Sequence, residues 1–407
     1  MNKRQKLYCL RKLRGTAFLV FVCLLISCRQ LSWAQSEAGA KSGDKTEAQN
    51  AVLPLSLRYD EPKTYPIGTK RSAILGDMKC GSDGTIFLPM VNDYTAVANA
   101  AKGAGPRPDR MQLFLVTGLT PSGNVVQFAH TDIPGLMNFV PEVRYFVSSS
   151  RVYTLEFADI YDPADPTKDL GRAHVILIYD YKGAYQGVIR LEPGLNPINI
   201  AAFPSGDLLV VSLDKFNQTT RLLIFDQAGR PVKELKLFDE DYALKLQPGD
   251  KEEKPPSPSD PAWTHLALAQ WVQFGEDLLM SPMSPIQAHL PLIEISENGV
   301  VRSTNVTLPD NASISGIFES SDDKIYHVVA SLPNQVQASK GEPLAPQKTS
   351  FTPTEIDDIY PVDGSILKRV KFNRGLMPAC VRDNGYTFLW PRDDDGKLQT
   401  IRGTVIH

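Results

Sequence analysis

The sequence predicts an all-β protein made of small four-stranded antiparallel sheets repeated along one chain. Three observations carry that reading. Short apolar runs alternate with Gly-, Asp- and Pro-rich breaks, and two kinds of break recur in fixed order. The final unit is one strand short. In "INIAAFPSGDLLVVSLDKFNQTTRLLIFDQAGRPVKELKL" (residues 198–237) four apolar runs are separated by three polar breaks. Runs of five to seven residues with such punctuation form strands joined by hairpins. The four strands are named A to D.

The A–B break returns as "CGSDGTIFL" (80–88), "FGEDLLM" (274–280), "SSDDKIYHVV" (320–329) and "RDNGYTFLW" (382–390), with a weaker copy in "VSSSRVYTLEF" (147–157). The C–D hairpin returns as "LFLVTGLTPSGNVVQF", "VILIYDYKGAYQGVIRL", "LLIFDQAGRPVKELKL", "LIEISENGVVRSTNVTL" and "DIYPVDGSILKRVKF". Each has a Gly in or beside its turn, where positive φ is needed. About six units result. A lone four-stranded sheet leaves both faces apolar, and stacking such sheets around an axis buries them. The fold expected is therefore a six-bladed β-propeller. Five or seven blades and a pair of β-sandwiches are the alternatives.

The last unit, "MPACVRD", "GYTFLWP" and "KLQTIRGTVI", supplies three strands. "VLPLSLRY" (52–59) is expected to supply the fourth and close the ring, leaving no free edge. Blade 1 then begins near Ser72.

The turn grammar resembles that of six-bladed propellers of the NHL-repeat and gluconolactonase-like type, over residues 52–407. The WD dipeptide and the kelch Gly-Gly are absent. The resemblance implies that acidic and amide residues near the axis could hold one metal, although no residue here matches that family's metal set closely enough to be carried over.

The chain has 407 residues, 42% hydrophobic and 22% charged, as in globular proteins. Residues 1–27 hold six Lys/Arg and no Asp/Glu, so a chain without them carries −9 rather than −3. That balance disfavours nucleic acid as a partner. "MNKRQKLYCLRKLRG" followed by "TAFLVFVCLLIS" reads as a signal peptide over 1–27. "LISC" resembles a lipobox, which would place a lipid on Cys28; "SWA" allows cleavage after residue 34 instead. Residues 28–51 read as a flexible tether. Residues 52–407 are expected to form one domain, exported and periplasmic or lipid-anchored in the envelope, touching membrane only through its lipid, and monomeric.

In this topology the A–B and C–D turns share one face, and the B–C and D–A loops share the other. Five long polar stretches, 91–110, 158–172, 241–263, 281–291 and 331–354, all fall on the second face, where repeat proteins often bind. A protein, peptide or saccharide ligand is expected there. Asp93, Asp159, Asp214 and Asp393 each fall just past a B strand, and Asn199 begins an inner strand. Together they could ring the channel mouth and hold a ligand or one Ca or other divalent cation; as turn formers they need no cofactor at all. Tyr94, Tyr161 and Trp263 are candidate aromatic contacts, whereas Trp271 and Trp390 read as core. "PRDDDGK" (391–397) reads as a hairpin turn rather than a calcium loop. No local His cluster, nucleophile elbow or Walker loop occurs, so catalytic residues stay unassigned. The function expected is envelope binding or scaffolding; the alternative is a metal-dependent, lactonase-like hydrolase or lyase at the channel mouth. Finally, Cys80 and Cys380 occupy near-equivalent places in the first and last units, and are expected to lie close across the seam, as a disulfide or as two buried thiols.

Overall fold

The computed structural model describes residues 53–74, 77–91, 93–94, 115–128, 132–192, 194–214, 219–235, 266, 269–281, 292–306, 313–319, 325–333, 351–360, 363–373, 375–382, 385–390 and 392–406. The leader expected over 1–27, the tether expected over 28–51, Cys28, Trp263 and most of the stretches 91–110, 241–263, 281–291 and 331–354 lie outside them.

Six antiparallel sheets make six blades. Blade 1 has its inner strand in two pieces, β3 (Ala73–Ile74) and β4 (Lys79–Cys80), followed by β5 (Ile86–Val91), β6 (Leu115–Leu119) and β7 (Val125–Gln127). Blade 2 has β8 (Leu136–Val147), β9 (Arg151–Asp162), β10 (Asp165–Asp180) and β11 (Tyr185–Arg190). Blade 3 has β12 (Pro197–Ala202), β13 (Leu208–Asp214), β14 (Thr219–Phe225) and β15 (Pro231–Leu235). Blade 4 has β16 (Gln270–Phe274), β17 (Asp277–Ser281), β18 (Leu292–Ser296) and β19 (Gly299–Thr304). Blade 5 has β20 (Ser313–Glu319), β21 (Tyr326–Pro333), β22 (Phe351–Ile359) and β23 (Ile366–Lys371). Blade 6 has β24 (Met377–Arg382), β25 (Gly385–Trp390) and β26 (Gln399–Ile406), and takes its outer strand from the other end of the chain, β1 (Ser56–Tyr59); the short β2 (Lys63–Thr64) also pairs with β26.

The inner strands touch in cyclic order, β4 to β8, β12, β16, β20, β24 and back to β4, so the ring is closed. Strands such as "IFLPMV" and "PINIAA" are buried along their whole length because a blade lies against each face. The apolar interior accordingly runs across the seams, one cluster passing through blades 2, 3 and 4. One cluster joins Phe87 and Phe128 of the blade 1 region to Val175 and Leu177 of blade 2, and another joins Ile356 and Val370 of blade 5 to Phe388 and Val405 of blade 6.

Local chemistry explains the irregularities. The inner strand of blade 1 breaks opposite Leu88 and Pro89, and a proline has no N–H for a ladder. The C–D turn glycines also mark where blades meet. A Cβ on Gly183 would lie 2.6 Å from the Gln127 carbonyl oxygen, and one on Gly229 2.7 Å from that of Arg190, in each case on the preceding blade. Both have positive φ as well, so glycine serves two needs at once.

Ring closure is double. At the outer edge Ser56–Tyr59 pairs with Gly403–Ile406, and Leu57 is buried there. Just before it, the Leu55 N–H donates to the Arg369 carbonyl (2.8 Å) and the Lys371 N–H donates to the Leu55 carbonyl (3.0 Å), so the same segment also grips blade 5. At the inner edge Cys80 of blade 1 and Cys380 of blade 6 are paired as a disulfide, Cα to Cα 4.9 Å.

One expectation needs correction. Residues 158–172, read above as a loop, continue β9 and β10, which turn at residues 163–164, with β8 still paired to β9 as far as Ile160. The prolines and aspartates that suggest a loop are absorbed by register shifts between Asp165, Asp169 and Gly171. Among the described residues no helix is long and apolar enough to cross a membrane.

Candidate functional site

Two places could carry function: the axis and the B–C face. On the axis, the Lys79 ammonium donates to the Trp271 carbonyl at 3.1 Å. These residues belong to blades 1 and 4, which stand opposite each other, so the lysine spans the ring. Nearer the A–B turns, the Gln273 amide donates to the Ala202 carbonyl (3.1 Å) and its oxygen accepts the Ser149 N–H (2.7 Å). Ser82 reaches the Ser149 carbonyl, and Arg382 donates to the Gly81 carbonyl at 2.7 Å. Five blades are thereby knitted together at that end.

On the B–C face, two hairpins overrun their neighbours. β9 and β10 are 12 and 16 residues long, whereas every strand of blade 4 has five or six. β10 leaves its partner β11 at Val175, while β8 follows β9 as far as Ile160, so the root has three strands and only the tip beyond Ile160 has two. In blade 5, β21 and β22 likewise extend to the pair Pro333–Phe351, past the last β23 pair at Glu355. Blades 2 and 5 are opposite in the ring, so two raised walls flank the channel mouth. The ribbon root is stiffened by Asp159, which binds Arg172 and accepts from the Asn138 amide at 2.7 Å. Phe157 meets the His174 ring (4.8 Å between centroids) and the Arg172 guanidinium (5.9 Å from its ring centre). Leu170 near the tip is 54% exposed.

The residues singled out from sequence fall as follows. Asp159 and Tyr161 lie inside β9 rather than past a strand end. Asp93 follows β5 and pairs with Arg71 (3.5 Å), and the Tyr94 N–H donates to the Arg71 carbonyl (2.7 Å). Asp214 is the last residue of β13, paired with Thr219. Asp393 caps a turn, its carboxylate accepting the Lys397 N–H at 2.7 Å. The Asn199 amide donates to the Leu266 and Ala269 carbonyls (3.1 and 2.9 Å), so it positions the start of blade 4. Among the described residues no three His, Cys, Asp or Glu side chains form a group suited to a metal. Trp271 is buried and Trp390 packs against the blade 5–6 cluster.

Blade 5 holds a charged network that the sequence reading missed. On one face His327 Nδ1 and Asp358 Oδ1 are 2.6 Å apart, and the Lys368 ammonium lies 3.9 Å from Asp358 and 5.6 Å above the Tyr386 ring of blade 6. On the other face Arg369 makes two bonds to Asp357 (2.7 and 2.8 Å) and lies 3.2 Å from Glu355, which also meets Lys371 at 3.4 Å. Burial raises the Asp357 pKa, and the Arg369 bonds oppose that rise. The alternation of "TEIDDI" with "ILKRVK" on paired strands is its only trace in the sequence. Buried charges persist when paired and hydrogen-bonded, and the Lys368 ammonium over Tyr386 carries this network to blade 6.

No family model matches the chain, and no curated protein matches it. Solved structures do, 288 chains in all. A member of the DUF4221 family from Bacteroides vulgatus is 10% identical, with TM-score 0.42, over 87% of this chain and 99% of that one. A protein of unknown function from Bacteroides caccae is 10% identical, with TM-score 0.36, over 72% and 80%. Trypanosoma rangeli sialidase is 8% identical, with TM-score 0.37, over 86% and 55%. Such likenesses assign no activity, and none ties the chain to the NHL or gluconolactonase families. What stands is the six-bladed architecture, which hosts unrelated functions.

Proposed function

We propose that this protein is an exported, monomeric binding module of the cell envelope, working through its B–C face on a protein, peptide or saccharide. The observation that carries the reading is the pair of overrunning hairpins on opposite blades, with the 158–172 ribbon the longer. A rigid ring that raises two walls on one side presents a shaped surface, and loops on rigid scaffolds are where binding concentrates.

The test replaces residues 161–171 with Asn-Gly. Wild type and variant, immobilised through their N-termini, are probed with envelope peptide and glycan arrays. A ligand held by wild type should be lost by the variant while the thermal melt is unchanged. Retention of every ligand by the shortened variant would overturn the reading.

A further inference from the structure

The inner and outer closures of the ring differ in chemistry. The outer one is a zip of backbone pairs, Ser56–Tyr59 with Gly403–Ile406, reinforced by the bonds of Leu55 to blade 5. The inner one is a single covalent bond, Cys80 to Cys380, which a thiol can break without touching the zip. The two sulfurs stand in different surroundings. Cys380 lies within β24 and is 4% exposed. Cys80 ends β4, is only partly buried, and is two residues from the exposed Ser82. The Arg382 guanidinium donates twice to the Gly81 carbonyl (3.2 and 2.7 Å), so a cation stands beside the peptide that follows Cys80. Positive charge there favours an approaching thiolate. β4 is itself two residues long, paired to β5 only through Lys79–Phe87 and Cys80–Ile86, so the bond to Cys380 is a large part of what holds it at the seam.

We propose that the Cys80–Cys380 bond is a redox-sensitive latch, opened by a dithiol reductant that attacks the sulfur of Cys80. The attacking thiolate forms a mixed disulfide with Cys80, and Cys380 leaves as a thiolate that takes up a proton. The reductant's second thiol then displaces Cys80, which is protonated in turn, and the reductant departs as its own disulfide. Two electrons and two protons pass to the protein. β4 and β24 then part at the inner edge while the zip keeps the ring closed outside. This goes beyond the B–C-face reading and stands without it, because both cysteines lie on inner strands and no hairpin residue takes part.

The probes are reduced glutathione and dithiothreitol, acting on the folded, unmutated full chain. Brief exposure to glutathione followed by excess N-ethylmaleimide should leave glutathione on Cys80 and maleimide on Cys380, as read by peptide mapping. In dithiothreitol, amide exchange in Lys79–Cys80 and Met377–Arg382 should quicken on the order of tenfold relative to the oxidised protein. Ser56–Tyr59 and Gly403–Ile406 should keep their protection. Four results would each overturn the proposal: glutathione carried mainly by Cys380, a bond that resists both thiols until guanidinium melts the fold, an inner seam whose exchange is unchanged by reduction, or exchange that quickens equally at both closures.

Discussion

Cys80 and Cys380 stand with Cα atoms 4.9 Å apart although 300 residues separate them in sequence. They join the inner strands of the first and last blades, so the bond closes a loop around almost the whole ring. The chain-entropy account assigns such a loop on the order of 5 kcal/mol. Reduction, or Cys380→Ser, should therefore lower the guanidinium midpoint markedly. Unfolding the unreduced protein should expose neither thiol to alkylation, as read by intact mass.

The outer closure should be separable from the inner one. Leu57 is buried against blade 6, where its side chain lies over Gly403. Leu57→Ala should cost about 2–3 kcal/mol. Arg58→Ala, on the exposed face of the same strand, should stay within about 0.5 kcal/mol of wild type. Urea melts under oxidising conditions would show both.

Glu156 predicts a pH dependence. Burial pushes its pKa from 4.5 up to about 8, the Glu142 charge adds to the rise, and the bond from the Thr154 hydroxyl opposes it. The folded protein thus holds a proton that the unfolded chain has released. The stability this contributes is complete below pH 4.5 and is lost as pH rises through 8. The slope from this group should approach about 1.4 kcal/mol per pH unit within that window. Glu156→Gln should flatten it, as followed by urea midpoints from acid to mildly alkaline pH.

Gly396 tests the reading of "PRDDDGK" as a turn. Its N–H donates to the Asp393 carbonyl (2.9 Å), its φ is 81°, and a Cβ there would collide with the Lys70 backbone. Gly396→Ala should destabilise by about 1–3 kcal/mol. Exposed Asp394→Asn should have almost no effect on the thermal melt.

Much of the ring can be read from sequence because each blade repeats a local grammar. "PSGD" before "LLVVSL" and "QAGR" before "PVKEL" mark turns whose partners are a few residues away. The three-strand final unit, set against "SLRY" near the start, implies the closure. The ribbon resists such reading because Pro163, Pro166 and Gly171 are loop formers, and nothing local shows that β9 and β10 stay paired around them. The axial and blade 5 groups resist for another reason. Lys79 meets Trp271 across 192 residues and His327 meets Asp358 across 31. Those encounters depend on how blades are turned about the axis, which no periodicity encodes.

The grip on Leu55 has a mechanical outcome. Its backbone is bonded to Arg369 and Lys371, and the residues after it are zipped to β26. A force drawing Leu53 back along the strand would strain all these bonds together, lengthwise, instead of peeling them one by one. The chain's leading end is therefore suited to carry tension while the ring behind it keeps its shape.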